Sequence, residues 1–131
     1  MGFAERGLIE ELAKVKDSYN VSRLAQAVAE AALEDPGWME ANARRVVATR
    51  ERVSAELRAM GFRVVPSSAN FVWMDCSRFG GRKIYEALRL RGILVRFFDA
   101  PILATGVRVS VGTDEDMTRF LAAVAEVVDE H

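Results

Sequence analysis

The sequence holds one cysteine, Cys76, and one histidine, His131, in 131 residues. A lone cysteine excludes an internal disulfide framework, and structural zinc needs about four Cys or His ligands, so that class is excluded too. With its histidine at the last position, the chain has no Ser/His/Asp or Cys/His arrangement for nucleophilic catalysis. Only three residues are proline, and no apolar run nears the ~20 residues that span a bilayer. Eighteen basic against nineteen acidic residues leave a net charge of −1, without the basic excess that non-specific nucleic-acid binding requires. No Walker or Rossmann glycine loop follows a strand-like segment. No signal-peptide pattern precedes the first charged helix, so the expected setting is the cytoplasm, with neither nucleic acid nor membrane as partner.

What is present is globular: half of the residues are hydrophobic and 28% are charged. The length suits one domain. Leu8, Leu12 and Val15 follow helical spacing and predict a short helix over 8–16. Turn chemistry at Asp17-Ser18-Tyr19-Asn20 leads to Ser22, a candidate N-cap with Gln26 near the capping-box position, and an alanine-rich helix over 24–33. Asp35-Pro36 is a strong helix start, and the next stop signal is Gly61. The long helix between them has an apolar stripe of Met39, Ala43, Val46, Val47, Val53, Leu57 and Met60, with the arginines read as solvated. So long a helix in so short a chain spans the whole domain or lies along something absent.

Beyond Gly61 the period shortens. Strands are expected at 62–65, 71–75, 93–96 and 107–111, with a crossover helix over 82–90. A closing helix carries Met117, Phe120, Leu121, Val124 and Val128, opened by a Thr113–Asp116 capping box. The expected fold is α+β: a small antiparallel or mixed sheet of three to four strands, covered by helices and preceded by the long helix.

Few residues stand out as chemical. Gly80-Gly81-Arg82-Lys83 opens a helix and is read as a turn and helix start in preference to an anion site, because the full phosphate-loop pattern is missing. Asp114, Glu115 and Asp116 suit a helix N-terminus without any catalytic role. Cys76 is read as a buried filler, and Phe71 and Trp73 as core. Arg96 and Arg108 differ, since a charge in a short apolar strand is costly unless it is paired or faces a cavity. Each is either half of a structural ion pair or a clamp for carboxylate or phosphate, which guanidinium binds bidentately.

Four segments together resemble one family. Lys14–Gln26, Pro66–Trp73, Gly92–Arg96 and Gly106–Thr113 are similar, in order and spacing, to segments of histidinol-phosphate aminotransferases, which are fold type I pyridoxal-phosphate enzymes. The resemblance covers the C-terminal third of such an enzyme. It implies residues 1–35 as helices linking to a missing large domain, and 36–131 as the small C-terminal domain. It also implies pyridoxal phosphate in the parent enzyme and none bound to this piece. Lys14, Lys16 and Lys83 do not match the Schiff-base lysine, so no catalytic residue is carried over and inactivity alone is expected. By the same resemblance Arg108 binds the substrate α-carboxylate and Arg96 lies near a distal phosphate. Tyr19 and Asn20 line the domain junction, and Asn70 lies in a loop close to Arg108. The implied reaction moves an amino group between L-histidinol phosphate and 2-oxoglutarate. Threonine-phosphate decarboxylases and aromatic aminotransferases share these strands and remain alternatives. So does a non-catalytic module that self-associates, and a dimer or larger homo-oligomer is expected of the piece alone.

Overall fold

A computed structural model describes residues 4–17 and 20–130. The chain divides into two units, Met1–Trp38 and Met39–His131. In the first, α1 (Arg6–Val15) and α2 (Arg23–Glu34) form where the apolar spacing places them. The Ser22 hydroxyl accepts from the Ala25 N–H at 3.1 Å, as an N-cap does. Gln26 closes no capping box: it sits one position past the required place, and its amide donates to the Val21 carbonyl instead. Neither helix has a buried residue, and Leu8, Ile9, Leu12 and Val15 of α1 and Leu24, Val28 and Leu33 of α2 are exposed. Helices this short depend on packing of such faces for their stability.

The long helix α3 (Pro36–Ala59) starts with the Asp35 carboxylate accepting from the Trp38 N–H at 3.1 Å. It stops at Gly61, whose φ of 90° is a left-handed conformation costly to any residue with a Cβ. Phe62 N–H then reaches the Leu57 carbonyl and Gly61 N–H that of Arg58, which completes a Schellman cap. The expected stripe is used only in its second half. Val53 and Leu57 are buried, with Thr49 and Ser54 beside them, whereas Met39 and Val47 are exposed. The arginines of that half are not simply solvated. Arg50 donates to the Ala69 carbonyl at 2.9 Å, Arg58 to that of Val64, and Arg52 pairs with Glu56 and Asp114. They tie the helix to the sheet and to the last helix.

The sheet is wholly antiparallel, in the order β1-β2-β4-β3, with β1 (Arg63–Val65), β2 (Phe71–Asp75), β3 (Arg96–Phe97) and β4 (Gly106–Ser110). The crossover helix is α4 (Gly81–Leu90), and α5 (Asp114–Asp129) closes the chain, its Thr113–Asp116 capping box fully formed. One sheet face, through Val64, Val72, Met74, Val107 and Val109, shares a continuous core with Val53 and Leu57 of α3, Ile84 and Leu88 of α4, and Phe120, Leu121 and Val124 of α5. The unit is thus two layers, helices on one face of a sheet.

The expected strand at 93–96 is mostly not a strand: pairing begins only at Arg96. Gly92, at φ 75°, caps α4, and Ile93 N–H returns to the Leu88 carbonyl, so the start of this segment belongs to the helix cap and not to the ladder. A cleft of about 290 Å³, lined by Ile93, Val95, Met117 and Arg119, fills the gap, and neither Arg96 nor Arg108 borders it.

The Gly80-Gly81 pair serves close approach. Gly81 is buried, and a Cβ there would lie 2.9 Å from the Gly106 nitrogen, with the Ala104 carbonyl nearer still. Cys76 is fully buried, and burial, with the Asp75 charge next in weight, pushes its thiol up to about 12. A thiol so held is a filler, not a nucleophile. Asp75, at the end of β2, accepts from the Ser77 hydroxyl and from Arg63 across the β1–β2 ladder, and these two bonds hold its carboxyl below the usual carboxylate range. A folded-state value below the unfolded one stabilises above the ordinary carboxylate range and is lost as pH falls through the folded value. Asp75→Asn is therefore expected to lower the urea midpoint at pH 7, the gap from wild type closing below about pH 4. A gap that persists into strong acid would contradict this source of stability.

Candidate functional site

The face of the sheet away from the helices carries the unusual residues. Period-2 alternation turns Phe71 and Trp73 of β2, Arg108 and Ser110 of β4 and Arg96 of β3 to this open side, opposite the core valines. Reading Phe71 and Trp73 as core is corrected by this. Both are only half-buried and share their phase with Asp75, which a core face would not tolerate. Asp75 was the signal in the sequence that this phase of β2 is the wet one.

Register then sets the arginines side by side. Arg96 and Arg108 are direct Cα partners across β3–β4, and Trp73 is the partner of Arg108 across β2–β4. Like charges directly opposite one another are destabilising. No ion pair or hydrogen bond to a carboxylate relieves either guanidinium among the described residues, and Arg108 Nε is buried without any hydrogen-bond partner. Aromatic rings stand where carboxylates would be expected. Arg108 Cζ lies 5.4 Å from the Phe71 ring centroid, Arg96 Cζ lies 5.2 Å from that of Phe98, and Phe98 is 6.3 Å from Trp73. The sequence leaves Phe97 and Phe98, beside Arg96, open between lining an aromatic or imidazole group of a substrate and filling the core. Phe97 turns to the other side, where it stacks on Tyr85.

The other candidates are placed less closely. Asn70 is exposed just before β2, and its carbonyl accepts from Val111 N–H at 2.8 Å, which closes the β2–β4 ladder beside Phe71. The loop bearing it is held by Arg50 on Ala69 and by the Ser67 hydroxyl, which donates to the Phe71 carbonyl at 2.6 Å and accepts from Ala69 N–H. Asn20 is exposed in the first unit, between α1 and α2. Tyr19 lies outside the described residues. Among the described residues no cluster of His, Cys, Asp and Glu is arranged to hold a metal ion, and no helix is long and apolar enough to cross a membrane.

The arrangement suits one task, holding an anion. A guanidinium binds carboxylate or phosphate oxygens bidentately, and two without an acidic partner lie side by side on this face.

Comparison with known proteins agrees with this fold. The family model for aminotransferase class I and II matches residues 1–124. A histidinol-phosphate aminotransferase of Clostridium acetobutylicum is 43% identical over 124 residues, which is 92% of this chain and 35% of that protein. One of Geobacter sulfurreducens is 43% identical over 129 residues, 97% of this chain and 37% of that protein. The crystal structure of the Sinorhizobium meliloti histidinol-phosphate aminotransferase, in complex with pyridoxal-5'-phosphate, superposes with a TM-score of 0.82 at 27% identity, covering 95% of this chain and 34% of that one. The chain spans little more than a third of the length of the curated relatives it matches. A match that runs through α1 and α2, the sheet and both arginine strands places this chain in the aminotransferase class I and II family.

Proposed function

We propose that this chain acts as the substrate-anion-binding domain of a pyridoxal-phosphate-dependent aminotransferase of the histidinol-phosphate type. Residues 36–131 form the small domain, and 1–35 link it to a larger cofactor domain. The observation that carries this is the pair Arg96 and Arg108, opposed on the open sheet face with no carboxylate to neutralise them. In an enzyme acting on L-histidinol phosphate and 2-oxoglutarate, both substrates bring an anionic group for such a pair to hold. Arg108 binds that group bidentately and fixes the substrate's orientation, with Arg96 taking the more distal charge. Asn70 borders the same face, and Tyr19 and Asn20 belong to the junction with the larger domain.

The described residues do not themselves make a pyridoxal-phosphate cradle. A lysine activated for imine chemistry needs a desolvated or charged setting. Lys14 is exposed at the end of α1 and pairs with Glu11, and Lys16, also exposed, donates to the Asp17 carbonyl. Lys83 is exposed on α4, whose buried residues pack on the helix-covered face of the sheet. On this reading the chain alone shows no transaminase turnover.

A chimera tests the reading. The matched segment of the Geobacter sulfurreducens enzyme is replaced by this chain, and amino transfer from L-histidinol phosphate is assayed. Turnover within about tenfold of the parent is expected, with kcat/KM falling by about a hundredfold or more in the Arg108→Ala chimera. A soluble, cofactor-loaded chimera that is inactive, or indifferent to Arg108, would overturn it. The exposed apolar faces of α1 and α2 are, on the same reading, covered by the larger domain. Without it the chain self-associates through them, and light scattering that shows a monomer at every concentration would contradict this.

A further inference from the structure

We infer that Phe71 and Phe98 are positioning residues, each holding one guanidinium of the arginine pair in the place that a structural carboxylate would normally fill. This rests on the reading of Arg96 and Arg108 as anion-binding groups. Acidic partners fix guanidiniums elsewhere in this chain, Asp75 on Arg63 and Glu126 with Glu130 on Arg91, while Arg82 takes both Asp99 and the Phe97 ring at 5.0 Å and Arg78 lies over Phe79 at 5.2 Å. An acidic partner would compete with an incoming anion, because the carboxylate would have to be displaced before binding. A ring face attracts the cation through its quadrupole yet accepts no N–H bond in the guanidinium plane. The Nη donors stay available while the group is held, although Arg108 Nε itself is buried.

The geometry divides this work between two rings. Phe71 precedes Trp73 by two residues on the same face and lies diagonally across from Arg108, with the guanidinium carbon 5.4 Å from its centroid. Phe98 follows β3 and reaches Arg96 at 5.2 Å, and it also rests on Trp73 at 6.3 Å. Trp73, directly opposite Arg108 on β2, flanks that guanidinium on the side away from Arg96 and touches the second pair through Phe98. Phe71 is itself anchored, because its carbonyl accepts from the Ser67 hydroxyl at 2.6 Å in the loop that Arg50 ties to α3. The buried, unpartnered Nε of Arg108 fits a side chain held by its ring, since no hydrogen bond is there to hold it.

The test uses the full 131-residue chain and no ligand, so that it is separable from anion binding. Exchange of the arginine Nε–H protons is followed by NMR in wild type, Phe71→Leu and Phe98→Leu, with backbone amide spectra and urea midpoints recorded alongside. Phe71→Leu is expected to speed exchange at Arg108 by about fivefold or more and leave Arg96 within about twofold. Phe98→Leu is expected to do the reverse. Phe71→Tyr, which keeps the ring, restores slow exchange. Unchanged exchange at the paired arginine in folded Phe71→Leu would overturn the inference, as would equal acceleration at both arginines. Should Phe71→Leu fail to fold, Phe71→Met, which keeps bulk without a ring, is read by the same criterion. Failure of the chimera with these exchange effects intact would remove the functional reading and leave the positioning one standing.

Discussion

Replacing Gly106 by alanine is expected to cost about 3 kcal/mol or more of folding stability, the largest loss of any methyl addition on the sheet. A Cβ at that position would lie 2.6 Å from the Met74 carbonyl oxygen and 2.8 Å from two atoms of the Trp73 ring. The carbonyl cannot retreat, because Met74 pairs with Val107 in the middle of the four-stranded sheet. The indole cannot retreat freely either, since it rests on Phe98. Gly106 thus links fold and face: the missing side chain leaves the room that the Trp73 ring occupies beside β4, next to Arg108. Gly7 is the control. A Cβ there meets nothing within 4 Å, and the residue sits inside α1, so Gly7→Ala is expected to be neutral or to stabilise by up to about 1 kcal/mol. Urea denaturation of the two variants measures both, and a mild Gly106→Ala would mean that β2 and β4 are more loosely joined than their register implies.

Arg108→Met is expected to act in opposite directions on stability and on binding. In the free chain Arg108 faces Arg96 directly and keeps a buried Nε without a partner, two unfavourable terms that methionine removes while still covering the Phe71 ring. The variant is therefore expected to be more stable than wild type by about 1 kcal/mol in the absence of anions. It should also bind a phosphate monoester at least about tenfold more weakly, the scale set by losing hydrogen bonds to a charged group. That opposition separates a binding residue from a structural one. Were Arg108 half of a structural ion pair, the same substitution would destabilise the chain. Urea midpoints and a titration on one protein preparation decide the sign of each.

The sequence made the architecture legible where local chemistry and tertiary packing agree. Asp35-Pro36 and Gly61 bracket α3 because capping is set by a few neighbouring residues, and the Thr113–Asp116 box opens α5 for the same reason. It misled where packing overrides the local signal. The apolar run at 93–96 has strand composition, yet the Gly92 cap takes up its start through the Ile93 N–H, and only Arg96 and Phe97 pair. The stripe of α3 is continuous in sequence, but the core reaches only its second half. On the candidate face, Arg108 and Arg96 were conspicuous as charges in apolar strands, whereas Phe71, Trp73 and Phe98 were hidden by their apolar character. An aromatic residue looks the same in a sequence whether it fills a core or cradles a cation. The phase of Asp75 was the one local clue. Tyr19 and Asn20 are candidates by resemblance alone, and no pattern of charge or spacing marks them.

The most direct measurement is an NMR titration of the arginine Nε–H resonances of the intact chain. O-phosphoethanolamine serves as a phosphate monoester, and ionic strength is held constant with chloride so that general screening does not change. The resonances of Arg96 and Arg108 are expected to move together and saturate with one dissociation constant, while exposed arginines such as Arg44 and Arg45 stay within the drift seen with chloride alone. Small, unsaturated shifts spread evenly over the surface arginines would contradict an anion site on the open face of the sheet.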